Sequence, residues 1–154
     1  MIKEPGLVVG SLRAASVESR IQYAALPYRV DDRTGTQIML ITSRERRRWI
    51  IPKGWPQKGR APHRSAAREA FEEAGVKGKV SRRSIGTFSY RKRLKDGGIA
   101  LCEVQVFALH VRRQSRKWPE KNERQFKWLS AATAARTVKD ARLSEIILRV
   151  AGMK

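Results

Sequence analysis

The chain has 154 residues, 41% hydrophobic and 31% charged, the balance of one folded domain that at this length buries roughly 70% of its unfolded surface. No apolar run approaches the roughly 20 residues of a membrane helix, and the single Cys102 excludes an internal disulfide. The net charge of +20, from 34 Lys and Arg against 14 Asp and Glu, points to a polyanionic partner: nucleic acid, an anionic membrane, or a small ligand carrying many phosphates.

Residues 1–19 read as a lead-in in which Pro5, Gly6 and Gly10 oppose any long element. They contain Glu4 and Glu18 and no apolar block long enough for a signal peptide, so a cytoplasmic location is expected. A single domain then spans 20–154. Apolar and β-branched runs at 21–30 and 37–43 flank the turn-rich Asp31-Asp32-Arg33-Thr34-Gly35, which predicts a hairpin. A short strand, Trp49-Ile50-Ile51, stops at Pro52. Residues 62–74 predict a helix: Pro62 suits its first turn, Ala66, Ala67, Ala70 and Phe71 form an apolar stripe, and Gly75 ends it. Strand-like segments follow at 79–90 and 99–111, separated by a basic turn with Asp96-Gly97-Gly98, and a shorter run sits at 125–129. Helical stretches near 131–137 and 140–151 close the chain, the second with Leu143, Ile146, Ile147 and Val150 on one face. Five or more strands around a central helix and a C-terminal helix predict an α/β layered fold.

Charge is unevenly spread, which argues against a merely Arg-rich composition. Residues 44–64 hold eight Lys or Arg against Glu45, residues 77–95 hold eight against none, and residues 112–127 hold seven against Glu120 and Glu123. The acids concentrate instead at Glu69, Glu72 and Glu73. On a helix these lie three and four positions apart, so their carboxylates share a face. Like charges at that spacing are unfavourable, and Glu72 and Glu73 also occupy the last turn, where the helix dipole prefers cations. Such a pattern calls for an external counter-charge, and a divalent cation with hard oxygen ligands is the natural one. The plainer reading pairs Glu72 with Arg68 and leaves the other two solvated.

The stretch Gly54 to Val76, GWPQKGRAPHRSAAREAFEEAGV, resembles the Nudix box, with Gly54, Arg68, Glu69, Ala70, Glu72, Glu73, Gly75 and Val76 in register. The resemblance implies a Nudix fold over about residues 20–150, a mixed β-sheet sandwiched between helices (α/β/α). It implies a metal-dependent hydrolase of phosphoanhydrides using Mg2+ or Mn2+. Glu69 and Glu73 are the implied metal ligands, with a carbonyl near Gly54 completing the site. Glu72 is the implied acceptor of the proton from a metal-activated water, or a ligand to a second metal. Arg68 and Gly75 are structural positions of the box. One position departs: the family's first box Glu is Arg60 here, which removes the usual brace to Arg68 and sets a cation beside the expected metal site.

The flanks, Arg48-Trp49-Ile50-Ile51-Pro52 and Gly75-Val76-Lys77-Gly78, are similar to the diphosphoinositol polyphosphate and diadenosine polyphosphate hydrolase branch. That likeness implies phosphate contacts from Arg44, from Arg91, Lys92 and Arg93, from Arg124, and more loosely from Lys139. Lys53, where the family usually has glycine, and Arg60 depart from the pattern and are expected as further substrate cations. The expected partner is a polyphosphorylated small molecule, a dinucleoside polyphosphate or an inositol pyrophosphate. The alternatives are the 5′ end of RNA, and a Nudix-like module that binds polyanions without hydrolysis. No membrane partner is expected, and the pattern sets no oligomeric state.

Other residues are weighed more plainly. Trp55, at the mouth of the box loop, either stacks on an adenine or packs beneath the loop. Trp118 and Trp128 are expected in core or rim packing, and His63 and His110 without catalytic duty. Glu120 and Glu123 are expected as solvated loop charges, with an added metal ligand as the other option. Ser43 and Ser144 lack the His-Asp context of a serine nucleophile.

Overall fold

Turn chemistry sets the first hairpin. The computed structural model describes residues 17–152. Strand β1 (Val17–Asp31) and strand β2 (Gly35–Thr42) pair antiparallel from Tyr28↔Ile38 to Asp31↔Gly35. At the turn Asp31 Oδ1 accepts from the N–H of Arg33 at 2.8 Å and of Thr34 at 3.0 Å, and Gly35 takes φ 80°, a conformation a side chain would strain. The expected lead-in lies outside the described residues up to residue 16, and its last three residues, Val17 to Ser19, already belong to β1.

Two short strands follow. Strand β3 (Trp49–Ile50) pairs with β2, and β4 (Lys53–Gly54) pairs with β1 through Tyr23↔Gly54 and Ala24↔Lys53. Helix α1 (Pro62–Ala74) has the expected bounds. Gly75 ends it in the left-handed region, φ 73°, donating its N–H to the Phe71 carbonyl.

The segment expected as one strand over 79–90 is two: β5 (Val76–Val80) and β6 (Gly86–Arg93). Both pair antiparallel with the long strand β7 (Ile99–Gln114), β6 along its first half and β5 along its second. The Ser81–Ile85 connection steps between the two pairings, Ser81 N–H to the Ala108 carbonyl and Ile85 N–H to the Val106 carbonyl, each 2.8 Å. Ser81 Oγ accepts from Ala108 N–H and donates to the Arg83 carbonyl, the local side-chain bonding by which serine competes with a regular ladder. Strand β8 (Phe126–Ser130), helix α2 (Ala131–Thr137) and helix α3 (Ala141–Val150) complete the fold. Ser130 Oγ and Asp140 Oδ1 cap the two helices on Thr133 and Leu143.

The sheet runs β3-β2-β1-β7-β5, with β4 also on β1, β6 on β7 and β8 on β2. Among the described residues only β1 and β7 pair in parallel, so the sheet is mixed. Alternation along the central strands feeds two cores. Leu26, Ile38, Leu40, Val104 and Val106 pack against Ala134, Leu143, Ile146 and Ile147 of α2 and α3. Ala25, Met39, Ile41, Phe107 and Leu109 pack against Ala66, Ala70 and Ala74 of α1. This is the expected α/β/α layering. The all-alanine seam of α1 lets the helix lie close to the sheet, which brings the next residues along it, Glu69 and Glu73, beside β4. Among the described residues no helix is long and apolar enough to cross a membrane.

Candidate active site

Glu69 and Glu73 share one face of α1 and meet the backbone of β4. The Glu69 carboxylate lies where a side chain on Gly54 would be: a Cβ there would stand 2.3 Å from Glu69 Cδ. Only glycine leaves that space. Gln57 Nε2 donates to Glu69 Oε2 at 3.2 Å, and the Lys53 backbone N–H donates to Glu73 Oε1 at 3.4 Å. Burial is the main force raising both carboxyls above the usual range, Glu73 to about 8; the Arg124 charge opposes the rise at Glu73 while the Glu69 charge adds to it, and the Glu72 charge adds to the rise at Glu69.

Behind Glu73 stands Arg124. Its Nη2 is 3.7 Å from Glu73 Oε2 and 2.8 Å from Glu120 Oε1, its Nε donates to Glu120 Oε1 at 2.9 Å, and its Nη1 donates to the Thr42 carbonyl at 3.1 Å. Only 8% of its side chain is exposed, so this guanidinium, expected as a phosphate contact, lines the cleft while tied to two carboxylates. Glu120 differs from expectation for the same reason: it is held by Arg124 instead of standing in solvent. Glu123 is exposed as expected and pairs with Arg44 at 3.2 Å.

Glu72 does not join the other two carboxylates. It turns to Arg68, Nε to Oε2 2.8 Å, the pairing named as the plainer reading of the cluster. Consistent with this, among the described residues no three His, Cys, Asp or Glu side chains gather into a metal-ligating group. The convergence expected of three carboxylates is thus a convergence of two.

Glu69, Glu73 and Gly54 form one wall of an open cleft of about 1140 Å³. Ten of its described lining residues are Lys or Arg against five Asp or Glu, so anionic ligands are favoured inside it. Arg91, Lys92 and Arg93 of β6 line it, as do Lys139 between α2 and α3, Arg44 in the β2–β3 loop, and Lys53. Burial pushes the Lys53 ammonium below the usual lysine range, although Glu73 opposes the shift, and its Nζ sits 4.9 Å over the Tyr90 ring. Arg60 is exposed and does not line the cleft, so the expectation that it acts beside the carboxylates is not met by its placement. His63 and His110 do not line it either.

Trp55 lines the cleft with 39% of its surface exposed, and the Arg20 guanidinium lies 5.7 Å from its ring centroid. Trp118 packs at the end of α1, its ring filling the space beside Gly75, and Trp128 packs under Arg29 at 4.1 Å. Three residues that pattern reading passed over take part: Gln57 on Glu69, and the pair Tyr90 and Gln22, joined by a 2.7 Å hydrogen bond in the cleft wall. A buried glutamine in an apolar strand was the one available signal.

Two carboxylates pressed together under burial need a cation or a proton, and hard oxygen donors suit Mg2+ or Mn2+. The donor set at Glu69 and Glu73 therefore fits a divalent metal.

Comparisons with known proteins give the family. The chain is 30% identical over 134 residues to Nudix hydrolase 13, mitochondrial, of Arabidopsis thaliana, covering 75% of this chain and 65% of that protein. It is 33% identical over 89 residues to mouse diphosphoinositol polyphosphate phosphohydrolase 3-alpha, covering 58% of this chain and 50% of that protein. The chain thus spans one half to two thirds of these relatives' lengths. A Caenorhabditis elegans Ap4A hydrolase structure superposes with a TM-score of 0.61 at 18% identity, covering 84% of this chain and 93% of that one, a likeness of fold. The NUDIX domain profile matches residues 21–150, the span that holds the carboxylate pair, the glycine beside it and both core layers, and the chain belongs to the Nudix family.

Proposed function

We propose that this chain hydrolyses a phosphoanhydride bond of a polyphosphorylated small molecule, a dinucleoside polyphosphate or an inositol pyrophosphate, in the cytoplasm. The observation that carries the reading is the placement of the Glu69–Glu73 pair in the same cleft as Arg91, Lys92, Arg93 and Lys139. The mouse relative's printed name, a diphosphoinositol polyphosphate phosphohydrolase, supports a substrate with many phosphates.

Glu69 and Glu73 hold Mg2+ or Mn2+ in this reading, with the Gly54 backbone beside them, and the metal when bound supplies charge stabilisation at the phosphoryl oxygens. The basic residues of β6 and Lys139 bind the phosphate chain, and their guanidinium and ammonium groups neutralise the leaving phosphate as its bridging P–O bond breaks. Arg44 and Lys53 extend that contact. Glu72 accepts the proton of the attacking water, a duty it takes up on parting from Arg68. Arg124 contributes from beneath, by holding Glu73.

A substrate panel with the product nucleotides separated by chromatography tests this. With Mg2+ or Mn2+, diadenosine tetraphosphate should be turned over faster than ADP-ribose or a 5′-triphosphorylated oligonucleotide, and Glu73→Gln should lower that turnover at least ~100-fold. Wild-type turnover in Glu73→Gln overturns the mechanism. A preference for the oligonucleotide moves the substrate to RNA ends.

A further inference from the structure

The second half of β7 carries charge that the cleft does not use. Lys77 and Lys79 on β5, Arg82 and Arg83 in the connection to β6, and Arg112 and Arg113 on β7 are all exposed. Among the described residues none of the six forms an ion pair. The ladder makes this worse, because Lys77 lies opposite Arg113, and like charges facing across strands are destabilising. A cavity of about 270 Å³ opens within this patch, lined by Lys79, Ser81, His110 and Arg112 among others, with no acidic residue among the described residues of its wall. It shares no lining residue with the active-site cleft. Ile99 belongs to the cleft and His110 to this cavity, eleven residues apart on β7, or roughly 35 Å of extended strand.

We infer that this β5–β7 edge is a second binding surface, for the phosphate backbone of single-stranded nucleic acid. Six cations without an acidic partner along two strands and a connecting loop, of which Lys77 rests over the Phe71 ring at 4.7 Å, suit a chain of regularly spaced phosphates, and the cavity between Lys79 and Arg112 seats one phosphate or a base. A membrane surface is the less fitting partner. None of the large exposed apolar side chains lies on β5, on the Ser81–Ile85 connection, or on β7 beyond Leu101, so the patch has nothing to insert among lipids. The surface works independently of hydrolysis in the cleft.

The test uses the full chain in EDTA and a fluorescent single-stranded RNA of about 20 nucleotides with a 5′-hydroxyl, which gives the cleft no terminal phosphates. Binding is followed by anisotropy across a salt series. Neutralising three cations together, Lys79→Ser, Arg82→Ser and Arg112→Ser, should weaken binding at least ~10-fold at 0.1 M salt and reduce the log–log salt slope by about 2, since each lost phosphate contact on a single strand contributes ~0.7. Neutralising Arg91 and Arg93 in the cleft should leave the RNA affinity within ~2-fold of wild type. The triple variant should also keep its kcat/KM for diadenosine tetraphosphate, which separates this surface from the proposed hydrolysis. Wild-type affinity and slope in the triple variant overturn the inference, as does an equal loss in the cleft variant. Binding of phosphatidylserine vesicles with no binding of RNA overturns it too, in favour of a membrane.

Discussion

Arg124 and Glu73 form an ion pair at the root of α1, Nη2 to Oε2 3.7 Å, with 8% and 7% of their side chains exposed. The same Nη2 lies 2.8 Å from Glu120. One guanidinium thus stands between two carboxylates that belong to different elements, the helix and the β7–β8 loop. The loop is fastened to the helix at two further points, Glu120 N–H to the Glu72 carbonyl at 2.9 Å and Ser115 N–H to the Gly75 carbonyl at 2.8 Å. It satisfies carbonyls that the end of a helix leaves open, and it fixes where Glu73 stands.

Removing that cation should cost more than removing a surface arginine. Arg124→Met leaves Glu73 and Glu120 buried or half-buried without their counter-charge, and breaking one side of a buried pair typically costs about 3–5 kcal/mol. Urea unfolding in EDTA above about pH 8, where the Glu73 carboxyl is ionised, should register a loss of that order. Mg2+ should recover part of it, because a cation bound at Glu73 replaces the missing charge. A loss no larger than that of Arg44→Met, whose pair with Glu123 is exposed, would remove Arg124 from this role.

Stability of the metal-free protein should fall as pH rises. Burial holds the folded Glu73 carboxyl at about 8, well above the ordinary 4.5. Between those values the folded chain binds the proton that the unfolded chain has released, so raising the pH favours unfolding. The penalty is absent below about pH 4.5 and complete above about pH 8. The melting temperature in EDTA should therefore drop across this window, and the drop should flatten in Glu73→Gln. A saturating divalent cation should flatten it as well. An unchanged slope in Glu73→Gln would assign the pH dependence to other groups.

Gly54→Ala isolates the geometry of the carboxylate pair. The added methyl would meet Glu69 Cδ at 2.3 Å and Oε2 at 2.5 Å. The obstructed atoms are the far end of a flexible side chain, so the fold should survive with the Glu69 carboxylate displaced. Thermal melting should shift little, while Mn2+ binding followed by paramagnetic resonance should weaken at least ~10-fold, because one hard oxygen ligand leaves its position. Unaltered Mn2+ affinity would place the metal away from Glu69.

How far these features were legible in the residues depends on how local their causes are. Helix α1 is written in Pro62, the alanine stripe and Gly75, all within one element, and its bounds emerge intact. Gly54 is legible only through its spacing from Glu69. The break at Ser81–Ile85 is hidden because it follows from β7 accepting two strands in succession, a property of the partner and not of the segment. Arg124 is hidden for a stronger reason. A basic residue before the last strand reads as a phosphate contact, and its burial arises only when the β7–β8 loop closes on the end of α1. Arg60 misleads in the opposite sense: its position in the box suggests the site, while the loop leaves it in solvent outside the cleft.

Salt should separate substrates by their charge. The cleft's cations lie on several walls, Arg44 in one loop, Arg91 to Arg93 on β6 and Lys139 between the C-terminal helices, so they draw in a long anion from several sides. Arg44 and Arg93 are exposed and act across water, where the Debye length shrinks from ~10 Å at 0.1 M to ~3 Å at 1 M. A bridged substrate with four phosphates meets several of these groups at once, whereas ADP-ribose, with two, meets few of them. For diadenosine tetraphosphate kcat/KM should therefore fall steeply over that salt range, chiefly through KM, and for ADP-ribose it should fall shallowly. Replacing Arg91 and Arg93 by Ser should flatten the first curve and leave the second nearly unchanged. If ADP-ribose is the better substrate and neither curve responds to salt, the cleft's basic residues serve solvation, and the assignment to long polyphosphates fails while the carboxylate pair keeps its role.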